Sequence, residues 1–234
     1  MQHLPLIECN NLTKSYGRKP ALINVNLKLY PGKLVGLLGP NASGKTTLIK
    51  VINGLLKEYQ GSILVNGVVP NADSKAIVSY LPDTTYLAKW MKVKDAISLF
   101  KDMYANFDEN KALELLTRMK INPNDKIKAM SKGTKEKLQL ALVMARNAMI
   151  YILDEPIGGV DPAAREFVLD VIENYRDPNS LVILSTHLIR DIEDIFDEII
   201  FLKDGAVVMH DSCEAIKEKE GKTIDEVFRE VFRW

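Results

Sequence analysis

The chain has only two cysteines among 234 residues, Cys9 and Cys213, and they lie far apart. This excludes a disulfide framework and makes a reducing cytosol the simplest compartment. An excess of charge of either sign is also missing. Thirty-one basic residues balance 31 acidic ones and the sequence pI is near 6.8, so the basic footprint of a nucleic-acid binder is absent. No apolar run approaches the ~18 residues that a membrane span requires. The opening residues, MQHLPLIECNNLTKSYG, lack the charged start and apolar stretch of a secretory leader. Any membrane role is therefore expected to pass through a partner. There is no internal repeat, low-complexity segment or long linker. What remains is 47% hydrophobic and 26% charged, which suits one domain with a substantial core.

The pattern along the chain alternates between buried strands and helices. KLVGLLG (33–39) is a short apolar run stopped by glycine, as a buried strand would be, and a helix is expected from Lys45 through TTLIKVINGLL. Asn66-Gly67 and Asp204-Gly205 each sit between apolar runs and predict two hairpins. AIVSYLPD reads as a further strand. Residues 92–146 are mostly helical, and MIYILDEP and LVILSTH are apolar strands that end in polar residues. The end of the chain, from Ser212, is charged and helical. Buried strands interleaved with helices predict an α/β sheet, with the middle third as a helical insertion.

GPNASGKT, Gly39 to Thr46, fits G-x-x-x-x-G-K-[ST] and falls between a predicted strand and a predicted helix. Chance gives on the order of one such match per hundred chains of this length, and the strand–loop–helix setting lowers that further. Glycines let successive N–H groups curl inward into an anion nest at a helix N-terminus. Lys45 is placed to reach β- and γ-phosphates, and the Thr46 hydroxyl to ligate Mg²⁺. The bland alternative is a glycine-rich turn with a surface lysine.

Asp154 and Glu155 follow directly on five apolar residues. Alone they would read as solvated acids at a strand end. Beside a phosphate loop, Asp154 suits a second Mg²⁺ contact and Glu155 suits polarising an attacking water. His187 ends the next apolar strand. A lone histidine is more often structural, but parallel strands deliver their C-terminal ends to one crevice, which makes a γ-phosphate contact reasonable.

AMSKGTKEKLQLALVMAR, Ala129 to Arg146, poses a different problem. Leu138, Leu142 and Ala145 predict an amphipathic helix, and Ser131 suits its N-cap. Yet Lys132, Lys135 and Lys137 occupy its first turns, where a cation costs roughly 0.3–1 kcal/mol if unscreened. Either the lysines form a solvated face or an anion docks there.

Together these residues resemble the ATP-binding cassette family of transporter ATPases, over about residues 6 to 210. The resemblance implies a P-loop NTPase fold with a RecA-like core, an N-terminal antiparallel β subdomain and an inserted helical subdomain. It implies a single cassette domain over 1–234, with core and β parts at about 1–84 and 147–234 and the helical part at about 85–146. Tyr16 matches the aromatic residue that stacks on adenine. Gly39, Pro40, Asn41, Ala42, Ser43, Gly44, Lys45, Thr46 and Thr47 match the phosphate loop. Asp154 and Glu155 match the Mg²⁺-binding acid and the catalytic base, and His187 matches the switch histidine. GGVDP resembles the loop that crosses between subunits, with Asp161 as its acid. The signature is usually Leu-Ser-Gly-Gly-Gln. Here it is MSKGT, which retains Ser131 and Gly133 and carries Lys132 and Thr134 in place of a glycine and the glutamine. Asp83, in YLPD, stands where a Mg²⁺-contacting glutamine is usual.

The implied cofactors are ATP and Mg²⁺. The implied partners are a second cassette packed head to tail, whose ATP would meet Ser131, Lys132 and Gly133, and a separate membrane permease docking near Asp83, where exposed Tyr86, Trp90 and Met91 would suit an interface; the alternative for these three is packing in the core of the insertion. Lys135 and Lys137 are expected to be solvated. Hydrolysis coupled to transport is expected at the cytoplasmic face of the membrane, and the Ser-Lys-Gly signature suggests export. A soluble cassette ATPase without a membrane partner is the alternative, although the usual long insertion or second cassette is missing. A small-molecule kinase would leave MSKGT, GGVDP and STH unexplained.

Overall fold

The computed structural model describes residues 4–158, 162–190 and 192–233. The chain opens with two long antiparallel strands, β1 (Ile7–Tyr16) and β2 (Lys19–Leu29). Next come the short buried strand β3 (Leu34–Leu38), helix α1 (Lys45–Ile52) and β4 (Gln60–Val65). A short helix, α2 (Ala72–Ile77), leads into β5 (Val78–Leu81). Three helices follow: α3 (Val93–Met103), α4 (Glu109–Arg118) and α5 (Lys132–Met144). The chain then alternates through β6 (Ile150–Asp154), α6 (Pro162–Asn174) and β7 (Leu181–Thr186). It closes with the hairpin β8 (Glu198–Lys203) and β9 (Ala206–Ser212) and helices α7 (Cys213–Glu220) and α8 (Ile224–Val231).

Two sheets result. β1, β2 and β4 form an antiparallel sheet in the order β2-β1-β4. The other six strands run β5-β6-β7-β3-β8-β9, parallel except for the β8–β9 pair. Every residue of β3, β6 and β7 is buried. This is the signature of strands covered on both faces, and it explains their unbroken apolar runs. Because β3, β5, β6 and β7 are parallel neighbours, their C-terminal ends lie along one edge. The loops that follow them carry Gly39–Thr46, Asp83, Glu155 and His187 to that edge.

The α/β expectation holds, with four local corrections. Asp204-Gly205 makes the β8–β9 hairpin, both residues at positive φ (48° and 82°) as a mirror-image turn needs. Asn66-Gly67 also adopts positive φ, but the chain beyond pairs only through the single bridge Val65–Val68. Pro70 and the start of α2 end that arm before a second strand can form. AIVSYLPD begins in a helix: Ala76 and Ile77 finish α2, which a reciprocal Asn71–Ser74 capping box begins, and only Val78–Leu81 is strand. The helix after the phosphate loop stops at Ile52, where Asn53 caps it and Gly54 turns at φ 63°.

The fourth correction concerns α5. It is not amphipathic in its second half, because Leu138 through Ala145 are all buried, Gln139 included. The helix plugs between the helical region and the sheet, so its burial exceeds what a one-sided stripe would give. The Ser79 hydroxyl donates to the Val143 carbonyl at 2.8 Å, and the Gln139 side-chain oxygen accepts from the Tyr86 N–H at 3.1 Å. These bonds tie α5 to β5 and to the loop that carries Asp83.

Candidate active site

The phosphate loop is shaped by close backbone approaches. Gly44 sits at φ 110°, and a Cβ there would lie 2.5 Å from the Ala21 carbonyl oxygen. A Cβ on Gly39 would lie 2.3 Å from the Leu202 carbonyl oxygen. Ala21 reaches the loop because the β1–β2 register slips between the pairs Lys14–Leu22 and Ser15–Pro20. Lys45 is 6% exposed. Its ammonium donates to the Gly39 carbonyl at 2.7 Å and the Pro40 carbonyl at 3.3 Å, and it lies 3.8 Å from Glu155 Oε1. Burial pulls its pKa down, while Glu155 and Asp154 pull it back up.

A cleft of about 340 Å³ opens over this loop. It is lined by Asn41, Ala42, Ser43, Gly44, Lys45, Thr46 and Thr47, with Tyr16, Asp83, Asp154 and Glu155 around them. Gly39 and Pro40 contribute beneath it through their carbonyls. Lys19, Pro20 and Ala21 also line the cleft. Sequence reading missed these three, since only the register slip turns them inward.

Asp154 is 2% exposed. Its Oδ1 accepts from the Ser185 hydroxyl at 2.5 Å, because Asp154 and Ser185 are paired across β6 and β7. Among the described residues its buried Oδ2 has no hydrogen-bond partner. Burial raises the Asp154 pKa, the Ser185 and Thr46 hydroxyls oppose the rise, and Asp83 and Glu155 add to it. A carboxylate oxygen buried without a partner is costly, and a hard cation would satisfy it. Asp154 and the Thr46 hydroxyl fit Mg²⁺, which takes one or two carboxylates together with substrate phosphates. Among the described residues no cluster of three or more acids, histidines or cysteines offers a fuller cage.

Glu155 adopts φ 52°, a left-handed conformation that costs a non-glycine residue on the order of 1–3 kcal/mol and clusters at functional sites. Its N–H donates to the Ser185 carbonyl at 3.0 Å. Its carboxylate lies 3.0 and 3.1 Å from His187 Nδ1. The side chain is thus held between Lys45 and His187. Asp83 is exposed and lines two clefts, the one over the phosphate loop and a second of about 450 Å³ with Lys89, Lys132, Lys135 and Glu136.

The signature residues do not line the cleft over this chain's own phosphate loop. The Ser131 hydroxyl caps α5 by accepting from the Thr134 N–H at 3.1 Å. Lys132 extends outward, its side chain 82% exposed and 3.7 Å from Glu136 one turn on. A Cβ on Gly133 would meet nothing within 4 Å. Lys135 and Lys137 are half-buried rather than fully solvated, and Lys135 lines the second cleft. Asp161 lies outside the described residues.

The family model for ABC transporters matches residues 22–158. The chain belongs to the ABC transporter family. An uncharacterized ABC transporter ATP-binding protein of Methanocaldococcus jannaschii is 34% identical over 220 residues, covering 92% of this chain and 80% of that protein. The solved structure of an ATP-binding subunit of an ABC transporter has a TM-score of 0.88 at 27% identity, over 97% of this chain and all of the other. A dimeric bacterial ABC transporter cassette has a TM-score of 0.75 at 25% identity, over 88% of this chain and 98% of the other. The cassette is accordingly an ATPase of P-loop fold and the ATP-binding subunit of a transporter. Among the described residues no helix is long and apolar enough to cross a membrane.

A third cleft of the cassette, about 270 Å³, opens beside β5 and is lined by Tyr80, Tyr86, Phe100, Tyr104 and Arg146. Trp90 is 79% exposed and Tyr86 44%. Of the two readings of Met91, the packed one holds. It is 6% exposed and packs in the core with Val93 and Ile127, because the Ile127 N–H donates to the Met91 carbonyl and pulls the segment inward.

Proposed function

We propose that this cassette closes on ATP as a head-to-tail dimer and drives a separate membrane permease. In this reading Tyr16 stacks on adenine, and the loop N–H groups and Lys45 hold the β- and γ-phosphates. Thr46, Asp154 and Asp83 hold Mg²⁺, which when bound neutralises charge developing on the phosphates. Glu155 orients the attacking water, and His187 fixes the Glu155 carboxylate and approaches the γ-phosphate. Ser131, Lys132 and Gly133 of the second chain complete the phosphate shell, with the dipole of that chain's α5 behind them. Asp161 belongs to the crossing loop between the two chains.

The observation that carries this reading is Gly133. Among the described residues nothing fills the space where its side chain would go, which leaves room for the other chain's nucleotide. The dimeric cassette among the similar structures supports the same assembly. A cytoplasmic segment of the permease docks along the aromatic cleft next to Tyr86 and Trp90, where large apolar side chains stay exposed. The Ser-Lys-Gly signature favours export and a peripheral place at the cytoplasmic face.

Glu155→Gln tests the assembly. It keeps the Mg²⁺ contacts of Asp154 and removes the base, so hydrolysis should fall by about 10²–10⁴-fold and the ATP-bound dimer should persist. Light scattering should then show a dimer with ATP that dissociates when ATP is removed. A monomer at saturating ATP would overturn the proposal.

A further inference from the structure

Lys14 is 7% exposed. Among the described residues it makes no hydrogen bond and no ion pair, and its ammonium lies over the Tyr16 ring, 5.4 Å from the centroid. Its stem is buried while its ammonium keeps contact with solvent beside the ring.

The surroundings place that ammonium next to the cleft over the phosphate loop. Strand alternation puts Lys14 and Tyr16 on one side of β1, while Thr13 and Ser15 line a shallow cavity on the other. Thr13 Oγ1 accepts from the Asn24 N–H at 2.9 Å, which pins the irregular β1–β2 pairing around Lys14. Tyr16 lines the cleft over the phosphate loop and is half exposed, whereas Lys14 is not part of that lining. The ammonium therefore meets the ring without itself lining the cleft that the ring lines.

We infer that Lys14 is a positioning residue for the nucleobase, acting through Tyr16. The inference rests on the reading of Tyr16 as the adenine platform. An ammonium on one ring face holds the ring in place and draws its π density away from the other face, which favours stacking with an electron-rich purine. The effect is on binding rather than on chemistry at the phosphate, since Lys14 stays outside the cleft.

ATP binding to the whole chain, measured by calorimetry in Mg²⁺-free buffer, tests this, with steady-state hydrolysis and thermal melting alongside. Tyr16→Ala should weaken ATP binding about tenfold or more. Lys14→Met should weaken it about three- to tenfold, raise KM by the same factor, leave kcat unchanged, and keep or raise the melting temperature. Lys14→Arg should restore near-normal binding. In a Tyr16→Ala background, Lys14→Met should add nothing. ATP affinity of Lys14→Met within about twofold of the parent, with Tyr16→Ala still weakened, would overturn the inference and leave the platform reading standing. An equal loss from Lys14→Met with and without Tyr16 would overturn it too, as would a lower melting temperature that arginine does not rescue. Normal binding by Tyr16→Ala would overturn the platform and the inference together.

Discussion

At the phosphate loop of this cassette, most polar groups find partners within the chain. Lys45 is held by the Gly39 and Pro40 carbonyls, one oxygen of Asp154 by Ser185, and Glu155 by His187 and Lys45. Its glycines are dictated by backbone atoms a few ångströms away. The N-terminus of α5 is the opposite. It has no acid in its first turn, and Lys132 pairs loosely with Glu136 in the less favourable order for a helix, worth a few tenths of a kcal/mol at most. Gly133 borders open space. The first region is braced mostly from within one chain. The second presents a cation and open space at its surface, which the proposed docking of the other chain's nucleotide would use.

The difference can be attacked from its stronger side first. Lys45→Ala should leave the fold intact, weaken ATP binding and lower hydrolysis by at least about 10²-fold, read by steady-state turnover of the purified variant. A rate near that of the parent would remove the phosphate loop from the comparison.

Complementation in trans separates the two regions. Lys45→Ala and Ser131→Arg should each be inactive alone, the arginine blocking close approach of the other chain's nucleotide. Mixed dimers then contain one site with both defects and one with neither, and hydrolysis should return in part. Heterodimers that form without rescue, where a single intact site is known to turn over, would make the lysines of α5 a solvated face.

A smaller effect is expected at Asp83, which lines both the phosphate cleft and the cleft at α5. Asp83→Ala should lower kcat about tenfold and change ATP affinity less, since its contact forms on closure. Equal losses in both would mark a contact already made in the open chain.

The smallest effect is on stability. Gly44→Ala, with its strained φ and backbone overlap, should cost about 2 kcal/mol or more in nucleotide-free unfolding. Gly133→Ala should be neutral or stabilising by up to about 1 kcal/mol, while it still impairs ATP-dependent dimerisation. If both glycines behaved alike in unfolding, the contrast between a self-contained and an outward-facing region would collapse.

Legibility followed the range of the interactions. The phosphate loop is eight consecutive residues, so its backbone curl is written locally, and the buried strands announced themselves by apolar runs. Ser185 was invisible as a partner of Asp154 because only the β6–β7 register brings the two together. Lys19, Pro20 and Ala21 were missed because they enter the cleft through a slip in strand pairing. Surface and core stayed open for Met91 because its burial depends on a backbone bond to Ile127, 36 positions away in the chain.

The sequence by itself determined the α/β alternation, the phosphate loop, and the acids and histidine that follow the apolar strands, because each is set by residue chemistry over a few neighbouring positions. Only the tertiary structure decided that Asp154 keeps one buried oxygen unpaired, that Glu155 is clamped between Lys45 and His187, and that α5 is buried all round yet faces outward at Ser131 and Gly133. Those facts depend on strand order, register and helix packing, which arise from contacts between segments far apart in the chain.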